Sequence, residues 1–122
     1  MRLKHFNLEI GSQLLKAMGE PTRLRILNLL LHLGAMPPSD IEFILDLSQA
    51  KTSRHLTYLR HAGILNSRKH EKWVIYSIKE EVADIVGQIL SYIEKDRLLK
   101  NDLATGQTLY SNRELAITKL PH

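Results

Sequence analysis

SQAKTSRHLTYLRHAGILNSRKHEKWVIYSI, Ser48 to Ile78, changes its rhythm once, at Gly63. Ahead of that glycine, Leu56, Leu59 and Ala62 fall on one helical stripe, with Thr52 or Ser53 just before it. Gln49, Lys51, Arg54, His55 and Tyr58 project elsewhere, so one face of the helix packs and the other is offered outward. Ser48 suits the N-cap, with a hydroxyl that can accept from a first-turn amide, and Gly63 suits the stop. Beyond Gly63 the period becomes two. Leu65 opens a strand through Lys69, His70-Glu71-Lys72 can form a loop, and Trp73 to Ile78 is β-branched and aromatic. This is a β-hairpin, with Val74, Tyr76 and Ile78 on the face that meets the helices. Arg68, Lys69, His70 and Lys72 decorate its tip.

Upstream, Pro21 sits where a first helical turn tolerates proline, and Leu24, Leu27, Leu30 and Leu31 recur at helical spacing. The spacing predicts a helix over about 21–33, closed by Gly34 and not continued through Pro37-Pro38. Ser39-Asp40-Ile41-Glu42 has the form of a capping box opening a short helix over 40–45. Asp46-Leu47-Ser48 makes the turn into the helix of the opening stretch.

Downstream, Val82, Ile85, Val86, Ile89, Leu90 and Ile93 return to helical spacing, predicting one helix from Glu80 to about Lys100. An apolar stripe of that length exceeds what a small domain covers, so a partner subunit is expected on it. Leu8, Ile10, Leu14, Leu15 and Met18 can join the same surface, giving a two-fold dimer. The competing reading folds both stripes onto their own core. Residues 103–122 are more polar, with Gly106 and a second possible capping box at Ser111-Asn112-Arg113-Glu114, room for one short helix.

Placement of charge supports an outward role for the central third. From Ser48 to Lys79 seven basic residues face one acidic residue, a local excess of +6 in a chain of net charge +4. Positive charge concentrated in this way is the footprint of phosphate-backbone binding. A solvated lysine-rich surface would carry the same charge, so charge alone does not decide. The 122 residues suit one domain, and 43% hydrophobic with 25% charged residues is a globular composition. No apolar run reaches the roughly 18 residues of a membrane span. The first residues lack a secretory pattern, and a cytoplasmic protein is expected. The absence of cysteine removes thiolate nucleophiles, redox switches and thiolate metal sites.

The six histidines, His5, His32, His55, His61, His70 and His122, are scattered, and no metal or other cofactor is expected; a site shared across a dimer through His5 or His122 stays open. Ser53 and His55 are two positions apart on a helix and do not face each other. There is no phosphate loop or dinucleotide fingerprint, and no enzyme is expected.

Helices followed by a short helix, a turn, a helix, a hairpin and a terminal helix make a winged helix-turn-helix, mainly α with a small β-hairpin. In this arrangement the helix from Ser48 enters a major groove and the hairpin tip reaches phosphates or the adjacent minor groove. The expected DNA-binding residues are Ser48, Gln49, Lys51, Thr52, Ser53, Arg54, His55 and Tyr58 on the helix, with Arg68, Lys69 and Lys72 as backbone contacts from the hairpin. Tyr58 is equally suited to contact phosphate or to cap the core. The expected dimer interface is Leu8, Leu14, Leu15, Val82, Ile85, Val86, Ile89 and Ile93. Domain organisation reads as residues 1–102 for DNA binding and dimerisation, then an extension over 103–122.

Leu15-Lys16-Ala17-Met18-Gly19-Glu20-Pro21-Thr22-Arg23-Leu24-Arg25-Ile26-Leu27 is very similar to the opening of the ArsR/SmtB-type bacterial repressors, which read L-x-A-L-x-D-P-T-R-L-x-I-L. Leu47 to Leu56 with Leu59 to Leu65 resembles that family's recognition helix and its exit, and Trp73-Val74-Ile75-Tyr76 resembles its wing. The matches run in order over residues 14–78. The resemblance implies a homodimeric transcriptional repressor that binds a double-stranded operator and is released by an effector, here unknown. The family's thiolate metal box would fall on residues 35–41, where Pro37 and Ser39 occupy the cysteine positions. Asp84 matches the aspartate of its other common metal site, but Val86 replaces the following histidine. Metal sensing by either site is therefore disfavoured. The rival expectation is a winged-helix dimer whose basic face meets an acidic protein.

Overall fold

The computed structural model describes residues 6–119, with side chains for residues 6–113. Four of the helices begin where a side chain accepts from a first-turn amide. Helix α1, Leu8–Met18, opens where the Asn7 side chain accepts from the Ile10 amide at 2.9 Å. Helix α2, Pro21–Leu33, opens on the Glu20 carboxylate, which accepts from the amides of Thr22 and Arg23 at 3.1 and 2.9 Å. It closes at Gly34, whose φ of 88° is a conformation glycine adopts without strain. Helix α3, Pro38–Leu45, ends on Asp46 in the left-handed region, and α4, Gln49–His61, starts from the Ser48 hydroxyl as expected, 3.2 Å from the Lys51 amide. Strands β1, Leu65–His70, and β2, Trp73–Ile78, pair antiparallel from Leu65 with Ile78 to His70 with Trp73, leaving Glu71-Lys72 as the turn. Met36 extends this ribbon by pairing with Tyr76 through both backbone bonds. Helices α5, Glu80–Ser91, and α6, Arg97–Lys119, complete the order.

The core lies around α2. Ile26, Leu27 and Leu29 are fully enclosed, meeting Leu56 and Leu59 of α4, Ile41 of α3, Ile64 and Leu65 at the start of the hairpin, and Val86 and Leu90 of α5. At about 1.5–3 kcal/mol for each large apolar side chain fully buried, this cluster fixes α4 by its inner face. The architecture is the expected winged helix-turn-helix, mainly helical with a small hairpin.

Four details differ from the sequence reading. The Ser39–Glu42 capping box does not form: α3 starts at Pro38, with Pro37 at the N-cap and no side-chain cap bond. Proline at the first helical position has no amide to satisfy, which lowers the demand for one. The expected helix from Glu80 to Lys100 is divided, because the chain turns after Ser91 and Asp96 caps a new start, accepting from the Leu98 and Leu99 amides at 2.9 and 3.4 Å. Helix α6 is not a short helix in a polar tail; it is 23 residues long and runs through residue 103, where an extension was expected to begin. Val74, expected on the packed face of the hairpin, is 43% exposed, since only Tyr76 and Ile78 lie close enough to the helices to be half-covered. Of the second capping box, the Glu114 side chain lies outside the described residues, as do His5 and His122.

Candidate nucleic-acid interface

The inner stripe of α4 determines what its outer face presents. With Leu56 and Leu59 enclosed, Gln49, Ala50, Lys51, Ser53 and Arg54 are exposed in the first turns, which is where side chains of a groove-entering helix reach base edges. Thr52 is a correction. It is fully buried and its hydroxyl donates to the Ser48 carbonyl at 2.9 Å, so it belongs to the packed face and cannot touch a duplex. Ser48 remains exposed, with its hydroxyl engaged as the cap.

His55 and Tyr58 occupy the border between the two faces. The His55 Nδ1 lies 3.7 Å from the Glu20 carboxylate, each side chain only partly exposed. Burial lowers the His55 pKa from its ordinary value; Glu20 pulls the other way, but Arg23, Arg54 and Lys51 add to the lowering. For Glu20, burial is the largest single influence and raises its pKa, yet the Thr22 and Arg23 amides and the charges of His55 and Arg23 together bring it below its ordinary value. Tyr58 is covered on one side by the Arg23 guanidinium, 4.2 Å from the ring centroid. Arg23 also donates to the Ala17 carbonyl at 2.6 Å, so one side chain ties the end of α1, the start of α2 and the middle of α4. In the sequence Glu20 and Arg23 stood out only as part of the family-like stretch from Leu15 to Leu27. Their contacts with α4 depend on tertiary packing, which helical periodicity does not encode.

The hairpin brings Arg68 opposite Ile75 and Lys69 opposite Val74, all of its tip exposed. The Lys72 ammonium lies 5.6 Å from the Trp73 ring, which holds the turn's cation against a half-exposed aromatic face. Exposed cations on α4 and at the hairpin tip are the pattern that phosphate backbones attract. Among the described residues no three His, Asp or Glu side chains converge as a metal site, and no helix is long and apolar enough to cross a membrane.

The expected dimer residues separate into two groups. Leu14, Val82 and Val86 are enclosed in the protomer's own core and are removed from the interface, because α1 and α5 direct these positions towards α2. Ile85 and Ile89 are half-buried against the same core, while Leu8 is 89% exposed, Leu15 60% and Ile93 37%. Leu8 and Leu15 line a groove of about 580 Å³ on the outer side of α1 with Phe6, Asn7, Gly11 and Ser12.

A family model described as "Bacterial regulatory protein, arsR family" matches residues 20–67. The arsenical resistance operon repressor of Escherichia coli K12 is 41% identical over 78 residues, 64% of this chain and 67% of that protein. An uncharacterized HTH-type transcriptional regulator of Methanocaldococcus jannaschii is 38% identical over 87 residues, 71% of this chain and 94% of that protein. Among solved structures, HlyU from Vibrio cholerae N16961 superposes with a TM-score of 0.63 at 33% identity, covering 69% of this chain and 91% of that one.

Proposed function

The chain belongs to the bacterial arsR family of regulatory proteins, DNA-binding transcriptional regulators, and from that premise we propose that it is a homodimeric repressor which reads its operator through α4 and grips phosphates with the hairpin. The observation that carries the reading is the division of α4: Leu56 and Leu59 fix the helix from inside, and Gln49, Lys51, Ser53 and Arg54 are left outward in its first two turns. Lys51 and Arg54 supply charge, and Gln49 and Arg54 can each pair bidentately with a base edge. Arg68, Lys69 and Lys72 supply contacts that position the protein without specifying sequence. Leu8, Leu15 and Ile93 are the apolar residues a two-fold partner would cover, consistent with recognition of two half-sites. The protein works in the cytoplasm, without catalysis, and an effector releases it from the operator.

Fluorescence anisotropy on a labelled duplex from upstream of its own gene, beside a shuffled duplex and at two salt concentrations, tests this. Tight binding that prefers the native duplex and weakens steeply with salt is expected. Equal affinity for both duplexes, insensitive to salt, would contradict it and favour a protein partner for the basic face.

A further inference from the structure

We propose that Asp40, Tyr110 and Arg113 are positioning residues for DNA recognition: through them α6 holds α3, and through α3 it sets the presentation of α4. The proposal rests on the DNA-binding reading above and adds to it a residue set that touches no duplex.

Asp40 lies in the first turn of α3 with its side chain only 4% exposed. A carboxylate so placed is costly unless it is paired and fully hydrogen-bonded. Among the described residues its side-chain partners come from α6. Arg113 donates from Nη2 to Oδ1 at 2.7 Å and from Nη1 to Oδ2 at 3.0 Å, a two-pronged fork, and the Tyr110 hydroxyl donates to Oδ2 at 2.9 Å. Burial, with the Asp40 carboxylate adding to it, pushes the Tyr110 phenol up to about 12, so it stays a donor throughout the physiological range. An acid in a first turn commonly serves its own helix; here the α3 cap has no side-chain bond, and the carboxylate is turned to another element 70 residues away in sequence.

The rest of α6 is built to make that contact. Asp102, buried, accepts both prongs of Arg25 from α2 at 2.9 Å each. One turn on, Gly106 lets α6 approach closely: a Cβ there would collide with Leu33 Cδ1 and come within 3.2 Å of Ile44 Cδ1, the latter on α3. Glycine inside a helix costs roughly 1 kcal/mol relative to alanine, and close approach is what it permits in return. Residues 102, 106, 110 and 113 thus form one stripe at helical spacing, with charge pairs at both ends and, between them, a glycine whose place leaves no room for a Cβ unless Leu33 shifts. Helix α6 packs on α2 and α3, and α3 packs on α4. Recognition of base edges requires side chains held within about 0.5 Å and 10–20° of the productive geometry, so an orienting contact on α3 can alter reading at α4.

The test compares the full-length protein with Arg113→Ala, Arg113→Lys and Tyr110→Phe. Operator and shuffled-duplex affinities are measured by anisotropy, and amide hydrogen exchange along α3 and α4 is followed without DNA. Arg113→Ala is expected to weaken operator binding about two- to thirtyfold while the shuffled duplex is affected less. Exchange should accelerate over residues 38–61 ahead of the rest of the chain. Arg113→Lys should recover part of both effects, and Tyr110→Phe should show the same pattern at smaller amplitude. Unchanged discrimination in Arg113→Ala would overturn the proposal, as would exchange that rises uniformly with a falling melting temperature, the mark of plain destabilisation. If the unmodified protein prefers no duplex, the DNA-binding reading falls by itself, and the exchange profile still decides whether α6 orients α4.

Discussion

Helices α4 and α6 are both amphipathic, but of the two it is α6 that turns charged side chains, those of Asp102 and Arg113, onto its packed face, while Arg97 and Lys100 stay exposed. On α4, Lys51 and Arg54 are exposed and leucines make the packed face. On α6, Asp102 is buried and Arg113 reaches inward to a buried partner, so polar residues help to make the packed face. A charge on a helix thus reports function or architecture according to its partner. A cation left in solvent on the element that enters a groove can meet phosphate; a cation forked onto an enclosed carboxylate is committed to the fold.

The contrast makes quantitative predictions. Leu59→Ala, on the packed face of α4, should cost about 2–5 kcal/mol of unfolding free energy in a denaturant titration. Arg54→Ala one turn away on the outer face should stay within about 0.5 kcal/mol of the parent. Comparable losses from both would mean that the two faces are not divided as described. On α6, Asp102→Ala leaves the Arg25 guanidinium without its carboxylate and should cost about 1–3 kcal/mol by the same titration, a large effect for a charged residue. An effect near zero would make this pair a surface ornament. Ser48→Ala removes the hydroxyl that starts α4 and should cost about 1 kcal/mol, visible as a lowered melting temperature.

The smallest effect is a pH dependence at the border of α4. Because burial lowers the folded-state pKa of His55 below its ordinary value, the unfolded chain binds the proton first as pH falls. Stability attributable to His55 is therefore complete above its unfolded value of about 6.5 and declines as pH drops from there through the lower folded-state value. Melting temperatures between pH 7.5 and 5 should fall less steeply in His55→Gln than in the parent. Identical slopes would show that the histidine is indifferent to its surroundings.

Much of α4 was legible because its inward residues are apolar. The period of Leu56 and Leu59, the Ser48 cap and the Gly63 stop all act locally, and local rules are what a sequence displays directly. Thr52 stood both as a possible start of the apolar stripe, beside Ser53, and among the expected DNA contacts; the Ser48 carbonyl within its own helix satisfies its hydroxyl, which places Thr52 in the stripe and leaves Ser53 exposed. Leu14, Val82 and Val86 were assigned to a partner because periodicity marks an apolar face without saying which surface covers it. Helix α6 was the least legible element. Its packed stripe includes an aspartate, a glycine, a tyrosine and an arginine, and a search for apolar repeats passes over such a pattern. The signal was present as the spacing of 102, 106, 110 and 113, but the partners Arg25 and Asp40 are 70 or more residues away and only the fold brings them together.

The most direct measurement is the affinity of Arg54→Ala and Lys69→Ala for the native and shuffled duplexes across a salt series. Arg54→Ala is expected to lose roughly 1–3 kcal/mol of discrimination between the two. Lys69→Ala should bind both more weakly by a similar factor, with the salt slope reduced by about one. If the two variants behave alike, α4 does not read sequence and the hairpin does not merely hold the backbone, and the assignment of roles to the two elements is wrong.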